Sequence, residues 1–169
     1  MREITFITGG ARSGKSSYAQ RLAENLSANP VYLATARCWD DDFAERIRRH
    51  QADRGAMWTT LEEEKRLSRH NLAGKTVLLD CITLWLTNIF HDNRYDPERS
   101  LEEAKAEWDR FIRQDFTLIV VSNEIGMSLH APDETSRRFT DLQGRINQHI
   151  AKTSDNTFLM VSGIPLKIK

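Results

Sequence analysis

Thr8-Gly9-Gly10-Ala11-Arg12-Ser13-Gly14-Lys15-Ser16 lies between an apolar run, Ile4-Thr5-Phe6-Ile7, and a stretch of helix-forming residues that starts at Lys15. Gly9 through Ser16 satisfy Gly-x-x-x-x-Gly-Lys-[Ser/Thr] at every position, in the strand–loop–helix setting that this motif requires. Glycines let backbone N–H groups curl around phosphate oxygens, the lysine reaches the β and γ oxygens, and the serine hydroxyl can ligate Mg²⁺. The helix that follows adds the positive end of its dipole. The stretch therefore predicts a P-loop and a nucleoside triphosphate ligand. Gly9, Gly10, Ala11, Arg12, Ser13, Gly14, Lys15 and Ser16 surround the phosphates, and Lys15 acts on them directly.

The remaining sequence extends that unit. Apolar runs rich in β-branched or aromatic residues recur at 4–8, 31–35, 77–80, 118–122 and 158–162. Nearly continuous apolar character is the pattern of strands buried on both faces. Amphipathic segments at 15–27, 40–54, 97–114 and 134–152, with a shorter one after Cys81, separate them. Alternating strand and helix predicts βαβ units and a mainly parallel sheet covered on both sides. The runs end on polar residues, Thr8, Thr35, Asp80, Ser122 and Ser162. Ligands of open α/β sheets bind outside the carboxyl ends of the strands, although loop composition alone would give the same pattern.

A chain of 169 residues without repeats or Pro/Gly-rich linkers fits one domain spanning 1–169, within the usual ~100–200 residues. The formal net charge of zero argues against a nucleic-acid partner that depends on a broad basic surface. Cys38 and Cys81 are the only cysteines, too few for a disulfide framework, so a cytoplasmic location is expected. No apolar run reaches the ~18 residues of a membrane span, and the N-terminal residues read as a strand rather than a signal peptide.

Two further segments carry candidate chemistry. Val77-Leu78-Leu79-Asp80 is an apolar strand ending in a carboxylate, as a Walker B strand should be, so Asp80 joins Ser16 as a candidate Mg²⁺ ligand. Its alternative is an ordinary strand-end or capping aspartate. Glu124 is a second acidic candidate at the same edge. In the segment 40–54, Phe43, Ile47, His50 and Arg54 are spaced i, i+4, i+7, i+11, along one helical face. Arg46, Arg48, Arg49 and Arg54 surround His50 and would keep its imidazole neutral and nucleophilic. A neutral imidazole can attack a nucleotide α-phosphate to give a nucleotidyl-histidine. A histidine on an apolar face can equally be a satisfied core residue, and spacing does not choose between the two.

These residues, with Tyr32-Leu33-Ala34-Thr35-Ala36, Trp58-x-Thr60-x-Glu62, Leu79-Asp80-Cys81-Ile82-Thr83-Leu84-Trp85 and Ser122-Asn123-Glu124-Ile125-Gly126, form an ordered series. Phe139-x-Asp141-x-x-Gly144-x-x-Asn147-Gln148 and Gly163-Ile164-Pro165-Leu166-Lys167 complete it. In that order and spacing the chain closely resembles the bifunctional adenosylcobinamide kinase/adenosylcobinamide-phosphate guanylyltransferase family of cobalamin biosynthesis. The resemblance implies a P-loop NTPase fold, RecA-like and three-layered, and two reactions. ATP or GTP phosphorylates adenosylcobinamide; GMP then passes from GTP to adenosylcobinamide phosphate through a guanylyl-histidine, which falls on His50. It implies nucleotide contacts at Ala34, Thr35, Ala36, Gln51, Ala52, Asp53, Arg54, Glu62 and Asp80 besides the P-loop. A carboxylate such as Glu62 can accept from the ring N–H and amino group of guanine. It also implies a homo-oligomer, plausibly a trimer. Where the family often has Phe-Arg-Asp, this chain has Phe139-Thr140-Asp141, which removes one cation.

Two rivals make different predictions. A P-loop small-molecule kinase of another pathway would use residues 9–16 and Asp80 but leave His50 and its arginines without a task. A regulatory GTPase or RecA-like motor fits poorly. Cys81-Ile82-Thr83 is not an Asp-x-x-Gly switch, and Asn123-Glu124-Ile125-Gly126 is not an Asn-Lys-x-Asp guanine motif.

Overall fold

A computed structural model describes residues 1–39 and 55–169. Strand β1 (Glu3–Gly9) leads into α1 (Lys15–Leu26), then β2 (Val31–Ala34). After the segment 40–54 come β3 (Thr59–Glu62), a single 3₁₀ turn (Leu67–Arg69) and β4 (Thr76–Asp80). Helices α2 (Ile82–Asp92) and α3 (Pro97–Phe111) precede β5 (Thr117–Asn123). Helix α4 (Glu134–Thr153) and the hairpin of β6 (Asn156–Val161) and β7 (Ile164–Lys167) follow.

The seven strands form one sheet in the order β3-β2-β4-β5-β1-β6-β7. Every pairing is parallel except β6 with β7. Strand alternation sorts the core into two layers. On β5, Leu118 and Val120 face a cluster with Trp85, Trp108, Ile146 and Ile150 of α2, α3 and α4. Ile119 and Val121 face the opposite cluster, with Ala19 and Ala23 of α1. A three-layer α/β sandwich results, because the period-2 strand places consecutive apolar residues against different helices.

Helix starts follow local chemistry. Asp96 caps α3 by accepting from the Arg99 N–H, with Pro97 at the first position, and Asp133 caps α4 by accepting from the Ser136 N–H. Each cap satisfies a backbone donor that the helix itself leaves unpaired.

All five strands expected from apolar runs are present, and the expected helices at 15–27, 97–114 and 134–152 differ only at their ends. The expected helix at 40–54 lies outside the described residues. Two strands were not anticipated. Thr59-Thr60-Leu61-Glu62 is a mostly exposed edge strand, so it lacks the apolar run that marks a buried one. Ile164-Pro165-Leu166-Lys167 is exposed throughout and carries a proline, tolerated because it lies at the sheet edge. Among the described residues, no helix is long and apolar enough to cross a membrane.

Candidate functional site

The P-loop residues 9–16 leave the carboxyl end of β1 near the middle of the sheet. Gly9 tolerates no side chain, since a Cβ there would stand 2.7 Å from both the Met160 carbonyl and Ser13 Oγ. Gly14 caps α1 with φ 91°, a left-handed conformation that favours glycine. Its outer side meets the β6–β7 turn: a Cβ on Gly14 would lie 3.1 Å from Gly163 Cα. The Gly163 N–H donates to the Ser13 carbonyl at 2.9 Å. The loop is thus shaped from within by glycine and from outside by the terminal hairpin.

Lys15 is only 7% exposed. Its Nζ donates to the Gly10 carbonyl at 2.5 Å and lies 3.5 Å from Ser13 Oγ. Burial pulls its pKa below the ordinary lysine value, opposed by the fields of Cys81 and Asp80. Burial also pushes the Cys81 thiol up to about 12. Cys81 is therefore neutral near pH 7. Ser16 is exposed in the first turn of α1.

Sheet register brings the other candidates to the same edge. Glu62 pairs with Ala34, and Ala34 with Asp80, across β3, β2 and β4. Strand β5 separates β4 from β1, with Asp80 paired to Val121 and Gly9 to Asn123. Four inter-strand steps of about 4.8 Å put Glu62 about 19 Å from Gly9 along the edge, room for an extended nucleotide. Tyr32, on β2, donates its hydroxyl to Asp80 Oδ2 at 3.1 Å, orienting the carboxylate from the neighbouring strand.

Thr35 ties this row together. Its Oγ1 accepts from the Cys81 N–H at 2.9 Å and donates to the Cys81 carbonyl at 2.7 Å. The buried Asn88 amide donates to the carbonyls of Thr35, at 2.8 Å, and Glu64, at 3.0 Å. Arg37, one residue past Ala36, grips Asp92 through both terminal nitrogens and Glu64 through Nε. That guanidinium holds the Asp92 carboxyl well below the usual carboxylate range, assisted by Lys65 and His91. Thr35→Val should destabilise the protein by about 1–3 kcal/mol in denaturant unfolding, because the Cys81 N–H is left buried without a partner. The Cys81 carbonyl keeps its bond from the Trp85 N–H. An unchanged midpoint would show that Thr35 carries no such load.

The structure therefore gathers Gly9 to Ser16, Ala34, Thr35, Ala36, Glu62 and Asp80 along one edge. His50, Gln51, Ala52, Asp53 and Arg54 lie outside the described residues. Tyr32, Arg37 and Asn88 were not singled out from the sequence as site residues. Glu124 belongs to the edge too, its N–H donating to the Gly9 carbonyl at 2.9 Å. Among the described residues, no group of three or more His, Cys, Asp or Glu could hold a metal ion. A cavity of about 860 Å³ between the β3–β4 connection and α3 contains no P-loop residue in its lining, and its Lys65 and Arg110 are paired with Glu103 and Glu107. The candidate nucleotide-binding residues lie at the sheet edge instead.

A sequence profile of the family described as cobinamide kinase / cobinamide phosphate guanyltransferase matches residues 5–168. The bifunctional adenosylcobalamin biosynthesis protein CobP of Pseudomonas aeruginosa is 39% identical over 173 residues, covering 100% of this chain and 98% of its own length. CobU of Escherichia coli K12, described by the same words, is 36% identical over 181 residues, covering 98% and 99%. Among solved structures, an ATPase from the type III secretion system of pathogenic bacteria aligns with a TM-score of 0.58 and 12% identity. The alignment covers 93% of this chain and 50% of that one, a likeness of P-loop fold alone.

Proposed function

We infer that this chain, which belongs to the cobinamide kinase / cobinamide phosphate guanyltransferase family, performs both reactions with nucleotide bound along the edge from Glu62 to the P-loop. It is a bifunctional enzyme of adenosylcobalamin biosynthesis, a kinase of cobinamide and a guanylyltransferase of cobinamide phosphate. The observation that carries the site reading is the in-register row Glu62–Ala34–Asp80 running toward the P-loop.

In the kinase step, the hydroxyl oxygen of adenosylcobinamide attacks the γ-phosphorus of ATP or GTP. The bond to the β–γ bridging oxygen breaks, the nucleoside diphosphate leaves, and the hydroxyl proton is lost to solvent. Residues 9–16 wrap the phosphates with backbone N–H groups, and Lys15 exchanges its bond to the Gly10 carbonyl for phosphate oxygens. In the transfer step, a neutral His50 nitrogen attacks the GTP α-phosphorus and pyrophosphate leaves. A phosphate oxygen of adenosylcobinamide phosphate then displaces His50, giving adenosylcobinamide-GDP. Glu62 accepts from the guanine N–H groups, while Ala34, Thr35, Ala36, Gln51, Ala52, Asp53 and Arg54 contact the nucleotide.

Ser16 and Asp80 suit Mg²⁺, a hard ion that keeps several waters and needs few protein oxygens. Mg²⁺ bound there would neutralise phosphate charge. A homo-oligomer, plausibly a trimer, is supported by the exposed apolar side chains of Val161, Ile164, Leu166 and Ile168 on and beside the edge strand β7. Two cysteines, Cys38 and Cys81, are too few for a disulfide framework and suit the reducing cytoplasm, where GTP is available.

The test is incubation with adenosylcobinamide and GTP labelled at either phosphate, with sedimentation analysis alongside. γ-Label should reach the corrinoid first and α-label second, on a particle of about three chains. A corrinoid that acquires neither label would refute the activity, and a monomer would refute the assembly.

A further inference from the structure

Between the β5–α4 connection and the first half of α4 lies a cavity of about 290 Å³, walled by Ile125, Ser128, Leu129, Arg137, Thr140 and Asp141. No residue assigned above to nucleotide contributes to it. Glu124 connects it to the P-loop: its N–H donates to the Gly9 carbonyl, and its Oε1 accepts from the N–H of Gly126, another wall residue, at 2.7 Å.

We propose that this cavity is the acceptor subsite, which takes the hydroxyl-bearing arm of the corrinoid and the amide groups beside it. The proposal rests on the reading of function above and adds the location of the second substrate.

Approach geometry supports it. The P-loop runs into α1 on one face of the sheet, whereas α4, which walls the cavity, packs on the other face. In-line phosphoryl transfer requires acceptor and leaving group on opposite sides of the phosphorus. An acceptor entering past Glu124 along α4 meets the P-loop from the face of the sheet opposite α1.

The lining has the matching chemistry. Arg137 spends one nitrogen on the carbonyls of Ala131, at 3.2 Å, and Pro132, at 3.1 Å, which leaves other donors of its fork for an amide oxygen or a phosphate. Asp141 can accept from amide N–H groups, and the Ser128 hydroxyl, which donates to the Ile125 carbonyl at 2.9 Å, can accept. At the rim, Met127 is 80% and Leu129 96% exposed, an apolar lip for the face of a macrocycle. Volume limits the claim usefully. Small-molecule pockets run to roughly 300–1,000 Å³, so this cavity holds an arm while the ring rests outside on the lip.

The end of β5 that leads into the cavity is held in place. Ser122 Oγ donates to Asn147 Oδ1 at 2.7 Å, Gln143 Nε2 donates to Ser122 Oγ at 2.8 Å, and Asn147 Nδ2 donates to the Asn123 carbonyl at 3.1 Å. This buried network pins the end of β5 to α4, so the wall beside Glu124 cannot drift from the P-loop.

Two variants of the full chain test the assignment. Thr140→Trp fills the cavity, and Leu129→Asp alters only the exposed lip and does not threaten folding. Both should raise the KM for adenosylcobinamide, by about tenfold or more for Thr140→Trp, the change expected for ~1.4 kcal/mol of lost contact. The KM for GTP and corrinoid-free GMP labelling of the enzyme should stay at wild-type values. A corrinoid KM unchanged in both variants would overturn the subsite, as would an equal rise in the KM for GTP. Wild type run in parallel separates the two readings. If it phosphorylates cobinamide and the variants match it, the cavity assignment alone falls; if it does not, the proposed function falls as well.

Discussion

Replacing His50 with alanine should abolish GMP transfer to cobinamide phosphate, on the order of 10⁴-fold or more, while cobinamide phosphorylation stays within about threefold of wild type. The asymmetry is expected because, in the mechanism proposed above, only the transfer step uses a protein nucleophile. Phosphorylation passes directly from nucleotide to hydroxyl and depends on positioning and charge. The imidazole requires its neutral form, and Arg46, Arg48, Arg49 and Arg54 disfavour the imidazolium while favouring the phosphates it attacks. A direct readout accompanies the kinetics. Wild type incubated with α-labelled GTP should acquire label that is stable to base and labile to acid, as a phosphoramidate is, and His50→Ala should acquire none. Label persisting on the variant would mean that another side chain is the nucleophile.

Lys15→Ala should have the opposite breadth, lowering both reactions by on the order of 10²–10³-fold, the range expected for loss of one charge-stabilising group. In the proposed site Lys15 serves the triphosphate whichever of its bonds breaks, so neither reaction should escape. Arginine should not rescue, because the buried Nζ fits 2.5 Å from the Gly10 carbonyl, where a planar guanidinium would need more room. Folding should survive, since removing a buried cation also removes its desolvation cost, so a melting temperature at or above that of wild type is expected. A variant retaining one reaction at full rate would show that the two reactions use separate phosphate sites.

The fold was legible wherever local chemistry and burial agree. Buried strands such as Leu118-Ile119-Val120-Val121 announce themselves because both faces are covered. The edge strands β3 and β7 did not, since Thr59-Thr60-Leu61-Glu62 and Ile164-Pro165-Leu166-Lys167 bury too little to leave a pattern. In the site, the P-loop was readable from its glycines, and Asp80 from its apolar strand. Strand order was not. Nothing local says that β5 stands between β4 and β1, and that insertion sets the separation of Asp80 from Gly9. Tyr32 was equally hidden, because its value lies in a partner 48 positions away. The assignment of His50 rested on resemblance, since helical spacing leaves a core histidine and a nucleophile indistinguishable.

The brace between Ser13 and Gly163 has a consequence in time. Synthesis delivers the P-loop well before its flanking strands β5 and β6 and the turn that shapes it. Contacts between distant parts of a chain pay their loop-closure entropy before they gain stability, and so form slowly. A nascent chain can therefore display the full phosphate-binding motif before it is able to hold a nucleotide. Competence waits for the β6–β7 hairpin, so the first act of recognition also reports that the sheet around the loop has closed.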